Sequence, residues 1–284
     1  MINYFLKYKV KKINSKPPSI SDIQKSTKIL FSIFTRYGDT IIDLMIIKEF
    51  IKHHPSKEYL ILCPKQMKPY INEFLPGIEC ISINKRNIFE MLKINKLLKK
   101  RMFDIGFNPW SNGFDSCYFI SYCDKFLFYK DFKIPKIINH YEVVRLYFKL
   151  PEKDWKIKKL VLKENYQSIL ICPQSTNYSR SLSSEQIDEL IFDFKKKYQY
   201  SKITIASMSQ SDFRIKCNSF LLKKTAYSSK EFLELTKQSE LIVCADSGPL
   251  HIALALQKDL LAFMNITLPE IVINSGASLS IKNY

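Results

Sequence analysis

Directly after the apolar run Leu241-Ile242-Val243-Cys244 stand nine residues, Ala245-Asp246-Ser247-Gly248-Pro249-Leu250-His251-Ile252-Ala253. They read as the end of a buried strand, a tight turn and the start of a helix, which is how open α/β sheets build anion sites. Ser247 or Asp246 can cap the helix, Gly248 lets the backbone approach a ligand, and Pro249 suits the first helical turn. The free N–H groups of that turn face outward. A phosphate fits there, and so does an ordinary capped helix without a ligand. A second segment of the same kind is Phe34-Thr35-Arg36-Tyr37-Gly38-Asp39-Thr40, again between an apolar run and an amphipathic stretch.

Composition sharpens both readings. The chain holds only 6 glycines in 284 residues, where average usage would give about 20. A sequence so sparing keeps glycine where nothing else fits, and Gly38 and Gly248 are two of the six. Arginine is equally scarce, six of the 44 basic residues, yet Arg36 and Arg180 both fall in strand-to-helix loops. An AT-rich coding bias accounts for the abundance of Lys, Ile, Asn, Phe and Tyr. The seven cysteines, at 63, 80, 117, 123, 172, 217 and 244, stand singly in apolar contexts and read as buried reduced thiols. The four histidines form no metal-ligand pattern, so no metal site is expected.

The elements that must position these loops alternate. Strands are expected at 29–34, 58–63, 79–83 and 103–107, with helices at 40–52, 65–74 and 88–100 between them. A short strand at 125–129 and a helix at 141–149 follow, and the charged, non-periodic stretch 151–165 reads as a linker. The pattern then restarts: strand 168–172, polar loop 173–182, helix 183–198, strands 202–206 and 220–223, helix 229–238, strand 241–244, helix 249–256 and strand 260–264. Such alternation implies parallel sheets with helices on both faces. The expected organisation is a basic N-terminal extension 1–27, a first Rossmann-like domain 28–150, a linker 151–166 and a second Rossmann-like domain 167–284. Ligands in these sheets bind beyond the carboxyl ends of the strands, and two of them face to face would enclose a cleft.

The formal charge of +17 calls for an anionic partner. Basic residues cluster at 7–16, 93–101 and 153–163. No nucleic-acid motif accompanies them, so nucleic acid is disfavoured and an acidic membrane face is the expected surface. No apolar stretch is long enough to span a bilayer and the N-terminus lacks a secretory pattern, which places the protein in the cytoplasm.

Three loops resemble glycosyltransferase family 9. Arg36-Tyr37-Gly38-Asp39, followed by an apolar helix and His54-Pro55, is similar to the family's R-x-G-D opening. Ile169-Leu170-Ile171-Cys172-Pro173-Gln174-Ser175, with Arg180 and Ser183-Ser184-Glu185-Gln186, resembles its H-P-G-A-S segment. Residues 244–256 are very close to its D-S-G-P-x-H-x-A-x-A-L signature. The chain departs from the family at Gln174, where Gly is usual, at Leu182-Ser183, where Trp-Pro is usual, and in ending soon after Met264.

The resemblance implies a GT-B fold, two Rossmann-like doubly wound parallel-sheet domains facing a cleft. It also implies an inverting, metal-independent transfer of a sugar, heptose from ADP-heptose, to a lipopolysaccharide core acceptor. There is then no cofactor, the nucleotide sugar being a substrate. The enzyme would work at the inner membrane surface of a Gram-negative bacterium on an anionic glycolipid. By resemblance Asp39 is the general base, its other reading being an N-cap for a helix starting at Thr40. Arg36 and Gly38 stand on the acceptor side. The backbone N–H groups of Ser247, Gly248 and Leu250 are expected to hold the diphosphate, and Arg180 to add a permanent charge. Ser175 and Thr176 can donate to the same phosphates, Asp246 suits a donor-sugar hydroxyl, and His251 packs or pairs with the loop. Thr225 and Asp212 fall in loops where relatives bind ribose and base. The altered Pro173-Gln174-Ser175 loop leaves open another nucleotide sugar and a different surface glycan. A non-catalytic basic binding protein that keeps the fold is the remaining alternative.

Overall fold

The computed structural model describes residues 17–109, 118–128, 139–151, 158–159, 162–207, 222–225, 228–264, 266–272 and 278–282. Asp212, Cys117, Cys217, the basic cluster 7–16 and most of the cluster 153–163 lie outside the described residues. The chain divides into two compact units, Met1–Glu152 and Lys153–Tyr284.

In the first unit, five strands form one sheet: β1 (Lys28–Ser32), β2 (Glu58–Pro64), β3 (Glu79–Ile83), β4 (Ile105–Asn108) and β5 (Lys125–Phe128). All pair in parallel, in the order β3-β2-β1-β4-β5. Parallel strands need crossovers, and helices supply them. The crossovers are α2 (Tyr37–His53), α3 (Lys68–Phe74) and α4 (Ile88–Arg101), with α1 (Ile20–Lys25) preceding the first strand and α5 (His140–Tyr147) following the last. Helix α2 buries Ile41, Leu44, Ile47 and Phe50, successive steps of three that keep to one side of the helix. On that side Phe31 stacks on Phe107 at 5.9 Å, and the Phe148 ring meets Phe107 at 5.0 Å.

The second unit repeats the plan in a seven-stranded sheet. Its strands are β6 (Lys158–Lys159), β7 (Ser168–Cys172), β8 (Lys202–Ser207), β9 (Leu222–Thr225), β10 (Leu241–Ala245), β11 (Asp259–Phe263) and β12 (Ser278–Lys282). The order is β6-β12-β11-β10-β7-β8-β9, again parallel throughout. Helices α6 (Ser184–Lys197), α7 (Ser229–Gln238), α8 (Gly248–Ala255) and α9 (Pro269–Val272) complete it. Helix α6 opens with a capping box, Ser183 and Gln186 each bonding the other's backbone N–H. Read outward from β7, the strands run 3-2-1-4-5-6, the doubly wound order whose reversal point lies between the first and fourth strands. In this unit that point is between β7 and β10; in the first it is between β1 and β4.

Three expectations are corrected, and one strand, β12, was not expected at all. Residues 17–27 are not a mere extension: α1 buries Ile23, and Lys125 Nζ pairs with Asp22 Oδ1 at 2.5 Å. The linker contributes β6, which pairs with β12. Strand β12 itself follows a stretch with no periodic signal. Finally, α2 begins at Tyr37, three residues earlier than expected, because Gly38 and Asp39 both take helical geometry behind Arg36 at the N-cap position.

Candidate active site

Both reversal points are flanked by the loops singled out in the sequence. Helix α8 follows β10 through Asp246-Ser247, and its N-terminus sits beside the loop after β7. Ser247 occupies the N-cap position with extended backbone (φ −159°, ψ 179°), but its side chain makes no cap bond. Its hydroxyl donates instead to Ala245 O at 3.2 Å. Asp246 does not cap either. It is 3% exposed, and its Oδ2 accepts from Arg180 Nη1 at 3.1 Å and from Thr267 Oγ1 at 2.6 Å.

This geometry resolves a difficulty. A carboxylate beside an anion site repels the anion, but here Arg180 neutralises it, and one oxygen of the carboxyl expected to meet a sugar hydroxyl, Oδ2, is engaged by Arg180 and Thr267. The guanidinium keeps unused capacity: Asp246 engages its Nη1, and the side chain is 25% exposed. Arginine carries five donors in a planar fork, so a group held by one edge can still grip phosphate oxygens with another. Thr267, which had no signal in the sequence, lies in the loop after β11 and completes the anchor.

Backbone donors are fewer than expected. The Leu250 N–H is taken by Ser247 O at 3.1 Å, which removes it from the anion-binding set. The amides of Ser247 and Gly248 precede the first internal bond of α8 and sit at its positive end. The floor beneath them is neutral: burial pushes the Cys172 and Cys244 thiols up, so neither is a thiolate. His251 lies one turn into α8 and is buried.

The loop after β7 is held by its own polar groups. Ser175 N donates to Ser181 Oγ at 3.0 Å, and Asn177 N donates to Ser175 Oγ at 3.4 Å. Thr176 is exposed. Asn177 caps the short 3-10 turn Tyr178–Arg180 that delivers the guanidinium. Thr225 ends β9.

In the first unit, Arg36 ends the loop after β1, and Gly38 and Asp39 stand in the first turn of α2. The N-cap reading of Asp39 is overturned, since Arg36 holds that position. Asp39 is the acidic residue of the first turn of α2 and is half-buried. One turn on lies a residue the sequence reading passed over. Asp43 is wholly buried, and neither of its carboxyl oxygens has a hydrogen-bond partner. Burial pushes its carboxyl well above the usual carboxylate range, and the charge of Asp39 adds to the shift. An apolar helix face with one Asp in it gave no way to tell a satisfied core carboxyl from an orphaned one. Among the described residues no cluster of three or more His, Cys, Asp or Glu side chains is arranged to hold a metal ion.

Comparison with known proteins meets this geometry. The family model described as glycosyltransferase family 9 (heptosyltransferase) matches residues 204–273, the stretch that holds β10, the Asp246 turn and α8. Among solved structures, Escherichia coli heptosyltransferase WaaC with ADP superposes with a TM-score of 0.70 at 11% identity, covering 90% of this chain and 93% of that one. E. coli ADP-heptose LPS heptosyltransferase II gives 0.68 at 14% identity, covering 90% of each chain. A family 9 glycosyltransferase from Veillonella parvula gives 0.70 at 12%, covering 96% of this chain and 88% of its own. No curated protein matches the sequence. At such identities the structures carry the fold, which is the α/β, GT-B arrangement of the heptosyltransferases. Fold and matched segment together define a glycosyltransferase. Its kind is heptosyltransferase-like, similar to family 9, as the three loops had implied.

Proposed function

We propose that this glycosyltransferase transfers a sugar with inversion, without a metal, from a nucleoside diphosphate donor to an anionic glycolipid acceptor. ADP-heptose is the donor in this reading, as ADP and ADP-heptose are named for solved relatives of the same fold. A lipopolysaccharide core at the cytoplasmic face of the inner membrane is the acceptor. The observation that carries it is the Arg180–Asp246–Thr267 anchor at the start of α8, which ties a part-exposed guanidinium to the turn that leads into the first amides of that helix. Phosphate is what such a set of donors recognises.

Each residue then has a step. Inversion needs a base for the acceptor hydroxyl and stabilisation of the departing diphosphate. Asp39 takes the hydroxyl proton as the acceptor oxygen attacks the anomeric carbon. The bond to the diphosphate breaks, and Arg180 with the amides of Ser247 and Gly248 meets the charge that develops there. Ser175 and Thr176 add hydroxyl contacts, Asp246 positions Arg180, and His251 supports the turn from below. Arg36 and Gly38 shape the acceptor side.

The test is calorimetric titration of the full chain with ADP, UDP and GDP, followed by turnover with the matching sugar donors. The reading requires ADP to bind and ADP-heptose to be consumed only when a glycolipid acceptor is present. Binding of UDP or GDP in place of ADP would move the chain to another donor, and absence of binding by all three would end the assignment.

A further inference from the structure

Helix α4 has an outward face unlike an ordinary solvated one. Its exposed residues are Ile88, Phe89, Leu92, Lys93, Lys96, Lys99 and Lys100, every one either a large apolar side chain or a lysine. Phe89 is 79% exposed, Leu92 57% and Ile88 48%. Met91, Ile94 and Leu98 already fill the core from the opposite side, so nothing in the unit calls for the outer three. The other long amphipathic helices are different. Helix α6 turns Glu185, Glu189 and Asp193 outward among its lysines, and α7 turns out Glu231 and Glu234.

The single acid of α4, Glu90, does not dilute the positive face. It is half-buried, and its carboxylate accepts from Asn84 N at 2.7 Å and from Lys65 Nζ at 2.9 Å. Beside the helix a groove of about 560 Å³ runs against the edge strand β3. Its floor is apolar, with Ile81, Ile83 and Leu97, and Lys93, Lys96 and Lys100 stand on its rim. Apolar groups at the level of the helix surface with lysines around them are what an interfacial helix presents to an anionic bilayer. The side chains enter the headgroup boundary while the ammonium groups reach back to lipid phosphates along their methylene stems.

We propose that α4 is a membrane-docking helix, inserting Ile88, Phe89 and Leu92 into an anionic lipid surface that Lys93, Lys96, Lys99 and Lys100 hold by charge. This deepens the reading of a membrane-borne acceptor, on which it rests for its purpose. Charge alone would make the association electrostatic and fully reversible by salt. The apolar residues add a part that salt does not remove.

Co-sedimentation of the full chain with phosphatidylcholine vesicles, with and without a third of phosphatidylglycerol, tests this without any nucleotide. The chain is expected to bind the anionic vesicles and to retain part of that binding in high salt. The double substitution F89S/L92S should lower partition by roughly tenfold to a hundredfold and leave only the salt-sensitive part. Replacing Lys93, Lys96, Lys99 and Lys100 by Gln should erase the preference for anionic over neutral lipid. All these positions are exposed, so thermal midpoints should stay at the wild-type value. F192S, at an exposed site on α6, serves as control and should bind like wild type. The proposal falls if F89S/L92S partitions like wild type, if F192S loses as much, or if the chain binds a single-stranded oligonucleotide and no vesicle. Failure of the wild-type chain to bind either kind of vesicle, with ADP binding intact, would remove α4 from this role and leave the transferase reading standing.

Discussion

Arg180 Nη1 donates to Asp246 Oδ2 across 3.1 Å, and this bond ties the loop after β7 to the turn after β10. The two strands are neighbours at the reversal point of the sheet, so the pair closes the crevice where a doubly wound sheet takes its ligand. The Asp246 side chain is 4% exposed and that of Arg180 25%, so the carboxylate anchors from below and the guanidinium works at the surface. Thr267 bonding the same oxygen from a third loop fixes the anchor in one orientation. Preorganisation of this sort matters because a charge already held in place costs no reordering when the phosphate arrives.

Replacing Arg180 by Ala should therefore act twice. ADP affinity should fall about tenfold to a hundredfold for loss of charge-assisted contacts. Stability should drop by about 1–3 kcal/mol because a buried carboxylate oxygen is left to Thr267 alone. R180K should retain more of the affinity, since it keeps the charge and loses the fork. Calorimetric titration with ADP and urea unfolding of the same samples separate the two effects. An R180A protein that binds ADP as wild type does would remove Arg180 from the donor site.

Asp39 and the donor anchor belong to different units of the chain, so their effects should separate. D39N is expected to lower turnover by about a hundredfold to ten-thousandfold, the usual worth of a general base. ADP affinity should stay within twofold of wild type. The helix loses an acidic first-turn residue at a cost of about 0.3–1 kcal/mol, which a thermal melt will register. Turnover preserved in D39N would exclude it as the base.

Much of this was legible in the chain and some was not, for reasons that differ by residue. Alternation of apolar strands with amphipathic helices gave both sheets, and the D-S-G-P turn pointed to the start of α8, because those signals are local. The start of α2 was misplaced because Gly and Asp look like loop residues, yet a glycine at the second helical position and an acid at the third suit a helix entrance. Leu250 was miscounted as a free donor because one tightened bond to Ser247 is a matter of geometry, not residue type. Thr267 and Asp43 were invisible for a shared reason. The role of a polar side chain is set by what tertiary packing puts beside it, and in one case that is Asp246 and in the other nothing.

Gly106 offers a test of packing in the first unit. It lies in β4, where an added Cβ would come within 2.7 Å of Ile120 Cβ and 2.8 Å of Cys123 Sγ. Both neighbours are buried, and Ile120 also opposes with its backbone oxygen at 3.0 Å. Overfilling of this kind costs about 1–3 kcal/mol. G106A should lower the urea midpoint accordingly, and an unchanged midpoint would mean that the 118–123 segment yields freely.

Asp43 makes the stability of the chain depend on pH in an unusual direction. Its carboxyl is pushed well above the ordinary value of 3.8 in the folded state, whereas in the unfolded chain it titrates near that value. Between the two, the folded state binds the additional proton, so stability from this group is greatest below about pH 4 and declines as pH rises toward the raised value. The decline is at most about 1.4 kcal/mol per pH unit for one proton. The carboxyls of Asp22, Glu90 and Asp104 act the other way: Asp22, for example, is held far below the usual range by its bond from Lys125. D43N keeps the shape and removes the titration. Relative to wild type it should gain stability as the pH rises from 5 toward the raised value and level off beyond it, read from urea midpoints between pH 5 and pH 8. A difference between D43N and wild type that stays constant over that range would show that Asp43 is ionised in the folded protein and has found a partner.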